Sequence, residues 1–159
     1  MPYEFKLKKT VEFSETDTAG IVHFSNFFRY MEAAEHAFFR SLGFSIHSND
    51  PNATIGWPRL QCDCQFKKPL RFEDEIEIHL LVREKKEKTL SYDFVIRKTG
   101  GQNWPPGNPP EEVAYGALTV ICITFDHQNG KMKAASIPVE IAGKIETAPK
   151  DALREERKT

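Results

Sequence analysis

The sequence predicts an α+β domain in which a curved five-stranded antiparallel sheet wraps around one long central helix. Three observations predict it. Residues 26–42 carry apolar side chains around well over half of a helical circumference, which requires cover on several sides. Segments at 60–68, 75–84, 90–98 and 113–125 have the length and composition of strands, and the middle two alternate apolar and polar residues. The joint between those two is a short charged turn, as in a hairpin. One helix and five strands in 159 residues must share a core, and a sheet curled around the helix satisfies that demand.

The first strand is expected from Phe5 to Ser14, with Phe5, Leu7, Val11 and Phe13 spaced for a half-buried strand. A small-residue loop follows. Ser25 is a suitable N-cap for a helix from Asn26 to Leu42, and Gly43 a suitable stop. Phe27, Tyr30, Met31, Ala34, Phe38 and Leu42 share one helical face, opposite Arg29, Glu32, His36 and Arg40. Phe28, Ala33, Ala37 and Phe39 widen the apolar surface. Residues 43–58, with Pro51, Gly56 and Pro58, read as a loop. In the strand at 75–84, Ile76, Ile78, Leu80 and Val82 lie on one face; in that at 90–98, Tyr92, Phe94 and Ile96 oppose Asp93, Val95 and Arg97. Lys85-Lys86-Glu87-Lys88 is the turn between them. TGGQNWPPGNPP, residues 99–110, is too rich in Pro and Gly for regular structure. Val113–Phe125 is the last long strand, Asp126–Gly130 a polar turn, and Ser136-Ile137-Pro138 opens a short helix to Ile145. The domain is expected to span 1–147, leaving a charged tail at 148–159, frayed or disordered.

A net charge of −1 gives no global attraction to nucleic acid or membranes, so any anionic ligand must be met by a local basic patch. The N-terminus has no apolar signal region, and no apolar run reaches membrane-spanning length. Cys62, Cys64 and Cys122 form an odd set, which points to reduced thiols in a cytoplasmic setting. Cys62-Asp63-Cys64 has no Cys or His pair at zinc spacing and no H-E-x-x-H occurs, so buried thiols are expected and no metal or cofactor.

The most informative stretch is SETDTAGIVHFSN, residues 14–26. It places Asp17 among small residues just ahead of the helix. Taken alone, such an Asp often caps a turn. The longer run SETDTAGIVHFSNFFRYMEAA resembles the signature of the 4-hydroxybenzoyl-CoA thioesterase family. The matching residues are the acid Asp17, the turn Thr18-Ala19-Gly20, the aliphatic pair Ile21-Val22 and the helix start Asn26-Phe27-Phe28-Arg29-Tyr30. QFKKPLRFEDEIEI, with Pro69 and Asp74, and the basic turn before Thr89-Leu90-Ser91-Tyr92 fit the family's later strands. The resemblance covers about Val11 to Glu140 and implies a hot-dog fold, assembled as a homodimer or homotetramer with active sites between subunits.

Thioester hydrolysis needs a polarised carbonyl, a nucleophile or activated water, and a grip on the CoA handle. N–H groups at a helix start lack intrahelical partners and carry partial positive charge, so they stabilise oxygen that gains charge during attack. The resemblance assigns this donor to the backbone N–H of Phe24, and the nucleophile or general base to Asp17. The Gly20 turn lets the backbone approach the ligand. Ile21, His23, Trp57, Pro58 and Arg59 are expected to bind substrate, and Lys85, Lys86 and Lys88 to clamp CoA phosphates; Lys67, Lys68 and Arg71 are weaker candidates. His23 departs from the family pattern, in which His often stands one position later. Glu15 is expected to be solvated, and Glu32 to form a structural hydrogen bond at the dimer interface. CoA thioester is substrate rather than cofactor. The implied activity is acyl-CoA thioester hydrolysis, on an aromatic or short- to medium-chain acyl group. The alternatives are an acyl-thioester hydratase or dehydratase on the same fold, a non-catalytic acyl-CoA-binding protein, and a structural oligomer.

Overall fold

A computed structural model describes residues 2–47 and 54–154. The elements, in chain order, are β1 (Glu4–Thr10), α1 (Phe24–Ser41), β2 (Ile55–Gly56), β3 (Arg59–Phe66), β4 (Glu75–Lys85), β5 (Thr89–Gly100), β6 (Glu111–Ile121), β7 (Ile123–Phe125), β8 (Met132–Ala134) and α2 (Val139–Ala142). Five strands form an antiparallel sheet in the order β1-β4-β5-β6-β3. β2, β7 and β8 make a small second sheet. The protein has the hot-dog architecture: a curved sheet closing over one long helix.

Period-two alternation sets which sheet face meets the helix. Ile76, Ile78, Leu80 and Val82 of β4 are buried in one core with Tyr92, Phe94 and Ile96 of β5. Phe27, Tyr30, Met31, Ala34, Phe38 and Phe39 of α1 fill the other side of that core. Gly116 of β6 admits the helix closely, because a Cβ there would collide with Met31 Sδ. Each fully buried branched or aromatic side chain contributes about 1.5–3 kcal/mol. A one-residue slip in register would exchange the two faces and lose that burial.

Several boundaries differ from expectation. β1 ends at Thr10 instead of Ser14. Val11 leaves the ladder to bond with Asp74 O and Glu73 N, and Phe13–Glu15 winds into a 3₁₀ turn closed by a Glu12–Glu15 capping box. The residues expected to be a loop at 43–58 include β2, held by β7; Pro51 lies outside the described residues. β5 runs through Thr99 and Gly100, so the Pro/Gly loop starts later than expected. The last long strand is two strands broken at Cys122, whose N–H turns to Lys88 O while its own carbonyl accepts from Ala135. The break moves the chain from the large sheet to the small one. α2 covers only Val139–Ala142 of the helix expected to reach Ile145. Cys62 is exposed and Cys64 half-buried, not core thiols, because β3 is a sheet edge; Cys122 is buried.

The expected frayed tail is, over its described part, a packed strap. Ala148 N–H bonds Val82 O, and residues 152–154 lie over the outer sheet face, where the Arg154 guanidinium sits 3.1 Å from the centre of the Tyr115 ring. None of the described tail is helical. Among the described residues, no helix is long and apolar enough to cross a membrane.

Candidate active site

Asp17 sits in a tight hairpin. Glu15 O accepts from His23 N (2.9 Å), Thr16 bridges to Val22, and Asp17 N–H donates to Ile21 O (2.8 Å). Gly20 N–H returns to Asp17 O (3.0 Å), and Gly20 has φ +80°, a left-handed turn that a side chain would strain. The Asp17 carboxylate accepts from Ala19 N (2.8 Å) and, more weakly, from Ile21 N (3.4 Å). Both are neutral donors of its own turn. The side chain forms no ion pair among the described residues and stays half-buried. The hairpin is bound to the sheet by Val22 N to Leu70 O and by the Ile21–Arg71 bridge.

The hairpin leads directly into α1. His23, not Ser25, is the N-cap. Its ring Nδ1 accepts from Ser25 N (3.3 Å) and lies 2.8 Å from Ser25 Oγ. A ring nitrogen accepts a backbone N–H through its lone pair. Ser25 is therefore the partner of the cap. Phe24 is the first helical residue, and its N–H has no acceptor among the described residues. Its ring stacks on His23 (4.6 Å between centroids) and is exposed. Asn26, buried behind the hairpin, donates to Glu15 O (2.8 Å) and ties the helix start to the turn.

The expected binding residues form two groups that one chain does not bring together. Asp17, Gly20, Ile21, His23 and Phe24 gather at the end of the sheet where β4 begins. Trp57, Pro58, Arg59 and the Lys85–Lys88 turn gather at the opposite end, where Arg59 faces Val120 and Val120 faces Leu90. The 11 residues of β4 separate the ends by roughly 35 Å.

Within the second group, several side chains are already committed. Trp57 is buried against Phe39, with centroids 5.5 Å apart. Arg59 is held by Glu35 through Nη2 (2.7 Å) and Nη1 (3.1 Å), and by Glu32 through Nη2 (3.0 Å). Glu35 is fully buried. Burial pushes its carboxyl above the ordinary range, and the Arg59 guanidinium pulls it partly back. Lys85 Nζ donates to Ala142 O (2.8 Å) and Ile145 O (2.7 Å), fastening the segment after α2. Lys86 pairs loosely with exposed Glu84 (3.4 Å), and Lys88 is exposed. The pairing of Glu35 with Arg59 escaped the sequence reading. Its available signal was a Glu among apolar helix positions, which requires a cation somewhere in the fold.

A family model described as the thioesterase-like superfamily matches residues 11–145. The chain belongs to the thioesterase-like superfamily. A candidate esterase of Aquifex aeolicus (strain VF5) is 34% identical over 142 residues, covering 89% of this chain and 95% of that protein. The 4-hydroxybenzoyl-CoA thioesterase of Pseudomonas sp. (strain CBS-3) is 26% identical, over 88% of this chain and 96% of its own. Among solved structures, a gentisyl-coenzyme A thioesterase superposes with a TM-score of 0.73 at 28% identity, covering 89% of this chain and all of the other. As a superfamily member, the chain is a thioester hydrolase. Among the described residues, no three His, Cys, Asp or Glu side chains converge as a metal set.

Proposed function

We propose that the protein hydrolyses an acyl-CoA thioester at Asp17. One observation carries this reading: a carboxylate with no ion-pair partner among the described residues stands in the hairpin that leads into a helix start whose first N–H is open. The carbonyl oxygen of the thioester binds at the Phe24 N–H, where the helix end favours the negative charge of the transition state. Such a donor is typically worth about 3–4 kcal/mol. Either Asp17 attacks the carbonyl carbon, the C–S bond breaks to release CoA thiolate, and water hydrolyses the acyl–aspartyl anhydride; or Asp17 removes a proton from the water whose attack expels the thiolate. The Asp17 hairpin fixes the carboxylate, and the Gly20 turn keeps side-chain bulk away from it.

The acyl group is aromatic in this proposal. The relatives named for hydroxybenzoyl and gentisyl thioesters support it, as do the exposed rings of Phe24, Phe13 and Phe72 near the hairpin. The working unit is a homodimer. β3 is an exposed sheet edge bearing Leu60 and Phe66, 58% and 49% accessible, an unprotected surface for a second strand. Antiparallel pairing of two β3 edges would bring one subunit's Lys85–Lys88 turn to the Asp17 end of the other. The CoA phosphates would then meet Lys86 and Lys88 across the interface, with Lys85 holding the turn in place.

The test is thiol release from a panel of aromatic and aliphatic acyl-CoAs, with Asp17→Asn beside the wild type. Turnover that Asp17→Asn abolishes supports the reading. Equal turnover by both proteins, or none on any thioester, overturns it. Sedimentation of a monomer would overturn the shared site.

A further inference from the structure

Arg71 is the feature at the Asp17 hairpin that the mechanism above leaves without a task. Its backbone is fixed by the bridge to Ile21 and by Asp74 Oδ2, which accepts from its N–H (2.8 Å). Its side chain reaches over the Asp17 turn, with Nη1 3.9 Å from where a Cβ on Gly20 would lie. Of the acids close by in sequence, Asp74 and Glu73 spend their carboxylates on groups other than the Arg71 guanidinium. Asp74 holds Lys98 (3.1 Å), and Glu73 accepts from Gln102. Three other cations at this end are engaged. Lys9 pairs with Glu15 (3.5 Å), Lys68 with Glu111, and Lys67 lies over the Tyr115 ring (4.6 Å). Arg71 makes no ion pair among the described residues. Beside it, Phe72 packs edge-on against Phe13 (5.9 Å between centroids), and both rings are exposed, Phe13 at 75%.

We propose that Arg71 binds an anionic oxygen on the acyl group of the substrate, with the Phe13–Phe72 pair lying against the apolar body of that group. The inference rests on the reading of Asp17 as the catalytic carboxylate. Its logic is reach. With the thioester carbonyl at Asp17 and the Phe24 N–H, a group on the acyl side lies within one side chain of the Gly20 turn. The CoA phosphates are held away by the extended pantetheine arm. A guanidinium presents a planar fork suited to a carboxylate or phenolate. The substrate class is therefore an acyl-CoA whose acyl group carries a second acidic oxygen, and Arg71 is a specificity residue.

The experiment compares kcat/KM for benzoyl-CoA and 4-carboxybenzoyl-CoA in the wild type, Arg71→Gln and Arg71→Lys, with Asp17→Asn as control on the site itself. Arg71→Gln is expected to lower kcat/KM on the carboxylated thioester about 10–100-fold, the worth of a charged hydrogen bond. Benzoyl-CoA should be nearly unaffected, and Arg71→Lys should fall between. Equal loss on both thioesters places Arg71 at the CoA phosphates or against the partner subunit, and overturns the inference. No loss on either thioester also overturns it. Benzoyl-CoA turnover that Asp17→Asn abolishes sustains the Asp17 reading whatever Arg71 does. A wild type inactive on both thioesters overturns this inference, and with it the aromatic acyl group given to that reading. The Arg71 side chain bonds to nothing in the described chain, so an unchanged melting temperature is expected in both Arg71 variants.

Discussion

Asp17, in the hairpin ahead of α1, and Glu35, in the second half of α1, are carboxylates treated in opposite ways. Glu35 is withdrawn from water and gripped by both ends of the Arg59 guanidinium, with Glu32 sharing the second nitrogen. Its lone pairs have structural partners, and its role is to fasten β3 to α1. Asp17 is left half-exposed, its carboxylate hydrogen-bonded by its own turn's N–H groups and in no ion pair among the described residues. A buried carboxylate already neutralised by a bound guanidinium has little left to offer a substrate. One held in shape by neutral donors keeps its charge available. The difference separates an acid engaged in the fold from one left open to a ligand, although both lie beside apolar residues in the sequence.

The largest expected effect is on rate. Asp17→Asn should slow thioester hydrolysis about 10²–10⁴-fold while leaving the melting temperature near that of the wild type. A rate loss accompanied by large destabilisation would blur the contrast. Glu35→Gln should do the reverse. Leaving Arg59 without its buried partner is expected to cost about 3 kcal/mol in denaturant titration, with kcat falling far less than in Asp17→Asn. Replacing both members, Glu35→Leu with Arg59→Met, should recover much of that loss, since a buried ion pair is often matched by apolar packing. If the double variant is no more stable than Glu35→Gln, the pair contributes more than mutual neutralisation.

A smaller effect is expected at the cap between the two acids. His23→Ala removes the acceptor for Ser25 N–H and should cost about 1 kcal/mol. That corresponds to a drop of roughly 2–4 °C in melting temperature for a chain of this size. The smallest concerns the basic turn. Lys86→Ala should raise KM for acyl-CoA a few-fold and weaken its salt dependence, as for an exposed phosphate contact. Lys85→Ala should lower stability by about 1 kcal/mol, from the loss of its bonds to Ala142 and Ile145. A KM effect from Lys85 alone would reverse the roles given to these neighbours.

Much of the local geometry of the candidate site was legible in the sequence for local reasons. An acid, a glycine that must adopt a left-handed turn and a helix start within ten residues constrain one another through backbone geometry, and the hairpin of 15–23 is built from such short-range bonds. Long alternating strands were legible because Ile76–Val82 and Tyr92–Ile96 repeat every second residue. What stayed hidden depends on partners distant in the chain. Arg59 reaches back 24 positions to Glu35, and Lys85 reaches forward to the end of α2 and the segment after it. Nothing in KKEK distinguishes a lysine that will bond carbonyls from one that will face a phosphate. The His23 cap was missed because Ser25 offers the more usual capping chemistry, and only ring orientation decides between them.

The sequence by itself determined the long amphipathic helix, the alternating strands and the acid-turn-helix motif, because each is fixed by spacing and local propensity over a few residues. Only the tertiary structure decided where β6 breaks into β7 at Cys122, how the tail folds across the outer sheet face, which basic residues are already paired, and that the two halves of the expected site lie at opposite ends of one sheet. Those outcomes depend on which polar groups meet when distant segments pack. The low dielectric of the interior makes an unpaired group costly there, so each charge takes the partner that the fold brings within reach.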